Sequence, residues 1–250
     1  MFENFYFKSL YFSDSPTLSL YSQGKFTAFS IELGDGSSQF CPIYDGYKII
    51  DRAERINIGG KDITKSIQKL LSKKKYDFAY NKNIVNDIKE KSCYIPLYYE
   101  DELKTIEEFD YELPDGSHAI IDKKRIKYPE AFIFNPSLKY MEGKGITEKF
   151  HEIINKCELD IRKDLYNVII LSGGNSMFKG LPERFEKEIR QLAPPKMEEE
   201  IKVIASPERK FATWIGGTVL SDISTFKDIL ITKDEYEENG SSYIIEKKNI

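Results

Sequence analysis

Two short glycine motifs in this 250-residue chain have the composition of anion-binding turns. Gly34-Asp35-Gly36 follows the apolar stretch that ends at Leu33. Gly173-Gly174 follows "VIILS" and precedes small polar residues. Glycine has no Cβ, so backbone N–H groups beside it can come close to a phosphate. Asp and Gly are also ordinary turn residues, and chain reversal alone accounts for either motif. The P-loop pattern G-x-x-x-x-G-K-[ST] and the dinucleotide pattern G-x-G-x-x-G are both absent. A glycine pair between a buried strand and a helix is a place where a nucleotide can lie against backbone, or simply a tight turn.

The bulk properties narrow the classes. The chain is 40% hydrophobic and 31% charged, which fits a folded protein rather than a disordered one. Its formal net charge of −4 argues against sequence-independent nucleic-acid binding. The run Lys73-Lys74-Lys75 reads as a solvated helix end. Cys41, Cys93 and Cys157 form no CxxC pair, and His118 and His151 have no neighbouring Cys or His. Neither a disulfide framework nor a zinc site is expected. No run has the length of a membrane span, and "MFENFYFKSLYF" lacks the basic start and continuous apolar region of a signal peptide. No membrane insertion is expected, and the compartment is expected to be cytoplasmic or nuclear.

The elements that must position the glycines follow from periodicity and punctuation. Residues 14–24 read as a short helix with Ser15 at the N-cap, Pro16 in the first turn and Gly24 after the end. Strands are expected over 25–33 and 37–44, forming a hairpin with Gly34–Gly36 at its tip. Asp62 is expected to cap a helix over 63–73 whose inner face carries Ile63, Ile67, Leu70 and Leu71. Further helices are expected over 82–93, 145–159, 181–192 and 211–223, the last despite Gly216 and Gly217. A second hairpin is expected over 111–121, and strands over 164–174 and 200–205. The mixture is α/β, with no internal repeat and no low-complexity linker.

Longer stretches carry a resemblance. "DLYNVIILSGGNSMFKGLPERFEKEIRQLAP" and "IKVIASPERKFATWIGGTVLSDISTFKDILITKDEYEENG" resemble the C-terminal part of actin. So, in the same order, do "CPIYDGYKI", "GGKDIT", "IVNDIKEKSCY", "YELPDG" and "DIRKDLY". The match covers nearly the whole chain and lies nearer conventional actin than the distant related families. It implies the actin/hexokinase/Hsp70-like nucleotide-binding fold, with ATP or ADP and a divalent cation, Mg²⁺ or Ca²⁺, between two lobes. By resemblance, Gly34, Asp35 and Gly36 match the second phosphate loop, with Asp35 near the ribose or metal side. Lys89 and Glu90 match residues beside the adenosine. Gly173, Gly174 and Met177 match the loop against sugar and base, and Phe178 stands where a tyrosine is usual. Lys210 matches the lysine near the adenine. Without the family, Lys89, Glu90 and Lys210 read as solvated surface charges.

The resemblance also implies departures. Met1-Phe2-Glu3 matches an internal segment of the family, so the expected fold is N-terminally truncated, one complete lobe plus part of the other, without the first phosphate loop. Residues 1–22 and 210–250 would be the remnant of the first large lobe. Residues 23–58 and 142–209 would form the second large lobe, and 59–141 its outer small lobe. Trp214 and the segment 211–223 would then expose apolar surface. Ser15 stands where actins carry the glutamine that orients the attacking water, and Glu32 where they carry an aspartate near the metal. A serine is too short for that positioning, so weak or no hydrolysis is expected and Glu32 would hold a metal only through water. The expected protein is a divergent actin-like cytoskeletal protein of the cytoplasm that binds ATP and associates with actin filaments or actin-binding proteins. The alternatives are a non-catalytic interaction module in an actin-related complex and a degenerate fragment.

Overall fold

The computed structural model describes residues 1–248. Its helices are α1 (Phe2–Phe5), α2 (Ser15–Tyr21), α3 (Gly60–Lys73), α4 (Lys82–Ser92), α5 (Tyr99–Thr105), α6 (Lys124–Ile133), α7 (Ile146–Lys156), α8 (Leu159–Asn167), α9 (Leu181–Leu192), α10 (Ala212–Asp222) and α11 (Lys233–Lys248), the last bent at Gly240. The strands are β1 (Ser9–Leu10), β2 (Ala28–Leu33), β3 (Ser38–Tyr44), β4 (Tyr47–Lys48), β5 (Glu54–Ile56), β6 (Phe109–Glu112), β7 (His118–Ile121), β8 (Ile169–Ser172), β9 (Val203–Ile204) and β10 (Ile231–Thr232).

The central sheet has the order β4-β3-β2-β8-β9, with β5 added beside β3. β2 and β3 are the expected antiparallel hairpin, with Leu33 opposite Ser38. β2, β8 and β9 are parallel, so their carboxyl ends lie on one edge of the sheet. β2 and β8 are buried along nearly their whole length, as expected of a parallel core covered on both faces, whereas β9 is half-buried. The main core joins Phe29, Ile31 and Leu171 of the sheet to Ile63 and Ile67 of α3, Phe150 and Ile153 of α7, and Phe185 and Ile189 of α9. Phe150 packs edge-on against Phe29, Tyr166 and Phe185, at centroid distances of 4.7, 5.5 and 5.8 Å.

Several boundaries differ from expectation, each for a local reason. Asp14, not Ser15, caps α2: its carboxylate accepts from the Thr17 N–H at 2.9 Å, which leaves the Ser15 hydroxyl free for other partners. Asp62 sits inside α3 rather than before it, and its carboxylate reaches back to the Gly59 N–H at 3.0 Å. The apolar run 145–159 ends as a helix at Lys156, where extended backbone at Cys157 starts a new segment. Residues 164–167, expected in a strand, complete α8 instead, and the strand shortens to β8. The strand expected over 200–205 is only β9. Leu192, the last residue of α9, is exposed. The terminal segments pair with each other through β1 and β10. α10 packs across α2 so closely that a Cβ on Gly216 would lie 1.7 Å from the Leu18 carbonyl oxygen, and it leaves Trp214 79% exposed.

One buried ion pair ties α6 to α9. Glu130 is 2% exposed and accepts from Arg184 at 3.3 Å, while its second oxygen has no partner. Burial pushes the Glu130 carboxyl up to about 7; Arg184 opposes the shift and Glu188 adds to it. A carboxyl raised in the folded state makes stability fall as pH rises from its ordinary 4.5 to about 7. The size is about 3 kcal/mol over that window. Glu130→Gln is expected to flatten this part of the pH profile. Urea unfolding of both proteins at pH 5 and pH 8 checks it, and an unchanged difference between the two pH values would remove Glu130 as the cause.

Candidate functional site

The three parallel strands deliver the site. In open α/β sheets, ligands bind beyond the carboxyl ends of the strands, where the loops diverge. β2 ends at Leu33 and runs into Gly34-Asp35-Gly36. β8 ends at Ser172 and runs into Gly173-Gly174. The segment after β9 carries Arg209 and Lys210 in a short 3-10 turn.

These loops are bonded to one another. Gly34 closes its own turn, donating from N–H to the Ser37 carbonyl at 3.0 Å. The Asn175 side chain donates to the Gly34 carbonyl at 2.9 Å, which joins the second glycine turn to the first. Gly173 donates to the Arg209 carbonyl at 3.0 Å, and the Arg209 guanidinium donates to the Ser176 carbonyl at 3.1 and 3.0 Å. Gly173 has φ +86°, and a Cβ there would lie 2.5 Å from the Leu33 carbonyl oxygen, so only glycine fits. Among the described residues, the N–H groups of Asp35 and Gly36 have no acceptor. A Cβ on Gly36 or Gly174 would meet open space.

A third glycine pair completes the cradle. Gly59 and Gly60 start α3, where the Gly60 and Lys61 N–H groups donate to the Gly34 and Asp35 carbonyls, both at 3.0 Å. A Cβ on Gly59 would lie 2.4 Å from the Asp35 carbonyl oxygen, and one on Gly60 would lie 2.6 Å from Asn175 Oδ1. Reading the sequence as sites missed both glycines and Asn175. The available signal was a Gly-Gly pair opening an amphipathic helix.

Lys89, read in isolation as a surface charge, is 5% exposed on α4. Its ammonium makes no hydrogen bond or ion pair with any described residue. Burial pulls its pKa below the usual lysine value; Asp35 and Glu90 partly offset this. A buried cation without a partner is costly unless something else neutralises it. Glu90 accepts from Asn86 at 2.9 Å and stands 4.0 Å from Lys210 across the opening. Glu90, Met177 and Phe178 line one cavity of about 590 Å³ with Arg125 and Gly180. Phe178 is 6% exposed within the main core, whereas Met177 is 38% exposed. Lys210 lines a neighbouring depression with Phe211 and Trp214.

Ser15 and Glu32 meet at the other side of the first turn. The Ser15 hydroxyl donates to Glu32 Oε2, and the Gln39 amide donates to Ser15 Oγ at 3.2 Å and to Glu32 Oε2 at 3.3 Å. The Glu32 carboxylate is thus shared by two side chains. Among the described residues, no group of three or more His, Cys, Asp or Glu side chains is placed to hold a metal ion. The three cysteines are buried and free. No helix among the described residues is long and apolar enough to cross a membrane.

A central sheet whose parallel strands end in glycine turns defines a protein of the α/β class. A family model described as actin matches residues 1–249. The chain belongs to the actin family.

Proposed function

We propose that this chain is an actin-like cytoskeletal protein that binds an adenine nucleotide at the carboxyl edge of its parallel strands. The observation that carries the reading is the buried Lys89 ammonium, within electrostatic reach of Asp35 and without a hydrogen bond or ion pair among the described residues, together with the Asp35 and Gly36 N–H groups, which have no acceptor among the described residues. A nucleotide phosphate would supply the missing counter-charge and the missing acceptors. Gly173, Gly174 and Met177 would bound the sugar side, and Glu90, Phe178 and Lys210 the base side. These donors and this open space fit ATP or ADP. The divalent cation, Mg²⁺ or Ca²⁺, would screen phosphate charge. By the resemblance, Glu32 would reach it only through water, and its bonds to Ser15 and Gln39 restrict that role.

Hydrolysis is proposed to be weak or absent. The Ser15 proton goes to Glu32 and the Gln39 amide takes one of its lone pairs, so Ser15 has no proton to donate to an attacking water. The cell compartment that fits is the cytoplasmic cytoskeleton, with actin or actin-binding proteins as partners. A second reading, a non-catalytic interaction module, is favoured by the exposed Phe211 and Trp214 around the depression beside Lys210.

Calorimetric titration of the purified chain with ATP, with and without Mg²⁺, followed by a phosphate-release assay, tests the reading. Saturable 1:1 binding with phosphate release far below that of an ordinary actin is expected. A cooperatively folded chain that binds no nucleotide would overturn the nucleotide reading and leave the interaction module. Phosphate release at an ordinary actin rate would overturn the hydrolysis claim alone.

A further inference from the structure

A second cavity, of about 190 Å³, lies between α3 and α6. Ser66, Lys69 and Lys73 reach it from α3, Lys124 and Tyr128 from α6, and Lys139 from the 3-10 turn Pro136–Lys139. Ser66, Lys69 and Lys73 are spaced three and seven apart, so they share one face of α3. Lys69 is nine residues beyond Gly60, about 13 Å along the helix axis, so this cavity is separate from the glycine turns.

Its charge is unbalanced in a protein that is acidic overall. No carboxylate lines it. The lysine pair Lys149 and Lys156, by contrast, bridges to Glu54 and Glu152. Here Lys69, Lys73 and Lys139 form no ion pair with any described residue. The neighbouring acids are committed. Asp122 is shared between Lys74 at 3.7 Å and Lys124 at 3.4 Å, and Asp62 accepts from the Gly59 N–H.

Lys139 is the most constrained of the four lysines. Its ammonium donates to Ser66 Oγ at 2.6 Å and stands 4.8 and 4.5 Å from the ring centres of Tyr128 and Phe132. An ammonium has three protons, and Ser66 takes one. Burial holds the Lys139 pKa below its usual value, and the nearby Lys69 charge adds to that; Asp62 opposes it. An anion placed between Lys69, Lys73 and Lys139 would relieve this repulsion and accept the remaining protons. The volume is below the ~300–1,000 Å³ of pockets for drug-sized ligands, so the anion is compact.

We propose that this cavity binds a phosphate-class anion of one or two phosphoryl groups, held by Lys69, Lys73 and Lys139 with the Ser66 hydroxyl. The source is either a free phosphate or pyrophosphate, or a phosphorylated lipid headgroup. Pyrophosphate titrated into the Lys89→Met variant separates this cavity from the glycine turns. Binding that weakens with added salt is expected, with at least a tenfold further loss in a Lys69→Gln/Lys73→Gln/Lys89→Met variant. The Lys139 ammonium signal in ¹⁵N-lysine-labelled protein is expected to shift on pyrophosphate addition. Equal pyrophosphate affinity with and without Lys69 and Lys73, or no binding by the folded Lys89→Met protein, would overturn the proposal. Flotation with vesicles containing a phosphoinositide distinguishes the sources. Retention abolished by Lys69→Gln/Lys73→Gln assigns the lipid headgroup, and pyrophosphate binding without retention assigns the free anion.

Discussion

Replacing Lys89 by methionine is expected to weaken ATP binding by about 10- to 100-fold while leaving thermal stability unchanged or higher. The affinity loss corresponds to about 1.5–3 kcal/mol, the usual worth of a charge-assisted hydrogen bond. The stability effect has the opposite sign because Lys89 is a buried cation with no hydrogen bond or ion pair among the described residues, and methionine fills a similar volume without a charge. Linkage gives the same sign. The folded-state pKa of Lys89 is lowered, so its penalty is fully present below that value and is relieved as pH rises toward the ordinary 10.5. Calorimetric titration and a thermal scan of both proteins check the pair of effects. A variant that loses stability and keeps its ATP affinity would make Lys89 a packing residue.

Gly173→Ala is expected to cost about 2–5 kcal/mol and to abolish nucleotide binding. Two penalties add. A left-handed backbone costs a residue with a Cβ about 1–2 kcal/mol, and φ at Gly173 is +86°. The added methyl also meets the Leu33 carbonyl oxygen at 2.5 Å, and overpacking of that kind costs about 1–3 kcal/mol. Leu33 is the last residue of β2 and leads directly into Gly34, so the strain falls on both turns at once. Gly174→Ala is the control, because a Cβ there meets nothing. Urea unfolding and ATP titration of the two variants check this. Equal behaviour of the two would show that the Gly173 turn is not tightly held.

The glycine turns, the β2–β3 hairpin and most amphipathic helices were legible because local signals fix them. Apolar positions in α3, α7 and α9 repeat at helical spacing, and Gly-Asp-Gly sits between two strand-like runs. One misread cap shows how local and tertiary partners compete. Ser15 looked like a cap, but Asp14 takes that role and Ser15 turns to Glu32. Burial was the least legible property. The pattern "DIKEK" puts Lys89 on a polar helix face, and its burial comes from tertiary packing that the pattern does not display. Gly59, Gly60 and Asn175 were missed because their role is to let three loops touch, which a linear sequence does not display. Trp214 and Phe211 were expected to be exposed, and they are.

The most direct test of the central claim asks where the nucleotide sits. The purified chain would be photolabelled with 8-azido-ATP, digested, and the modified peptides mapped by mass spectrometry. Labelling confined to the segments around Glu90, Met177–Phe178 or Lys210, and suppressed by excess ATP, is the predicted result. Labelling that ATP does not suppress, or that falls mainly elsewhere in a folded chain, would contradict a nucleotide site at the carboxyl edge of the parallel strands.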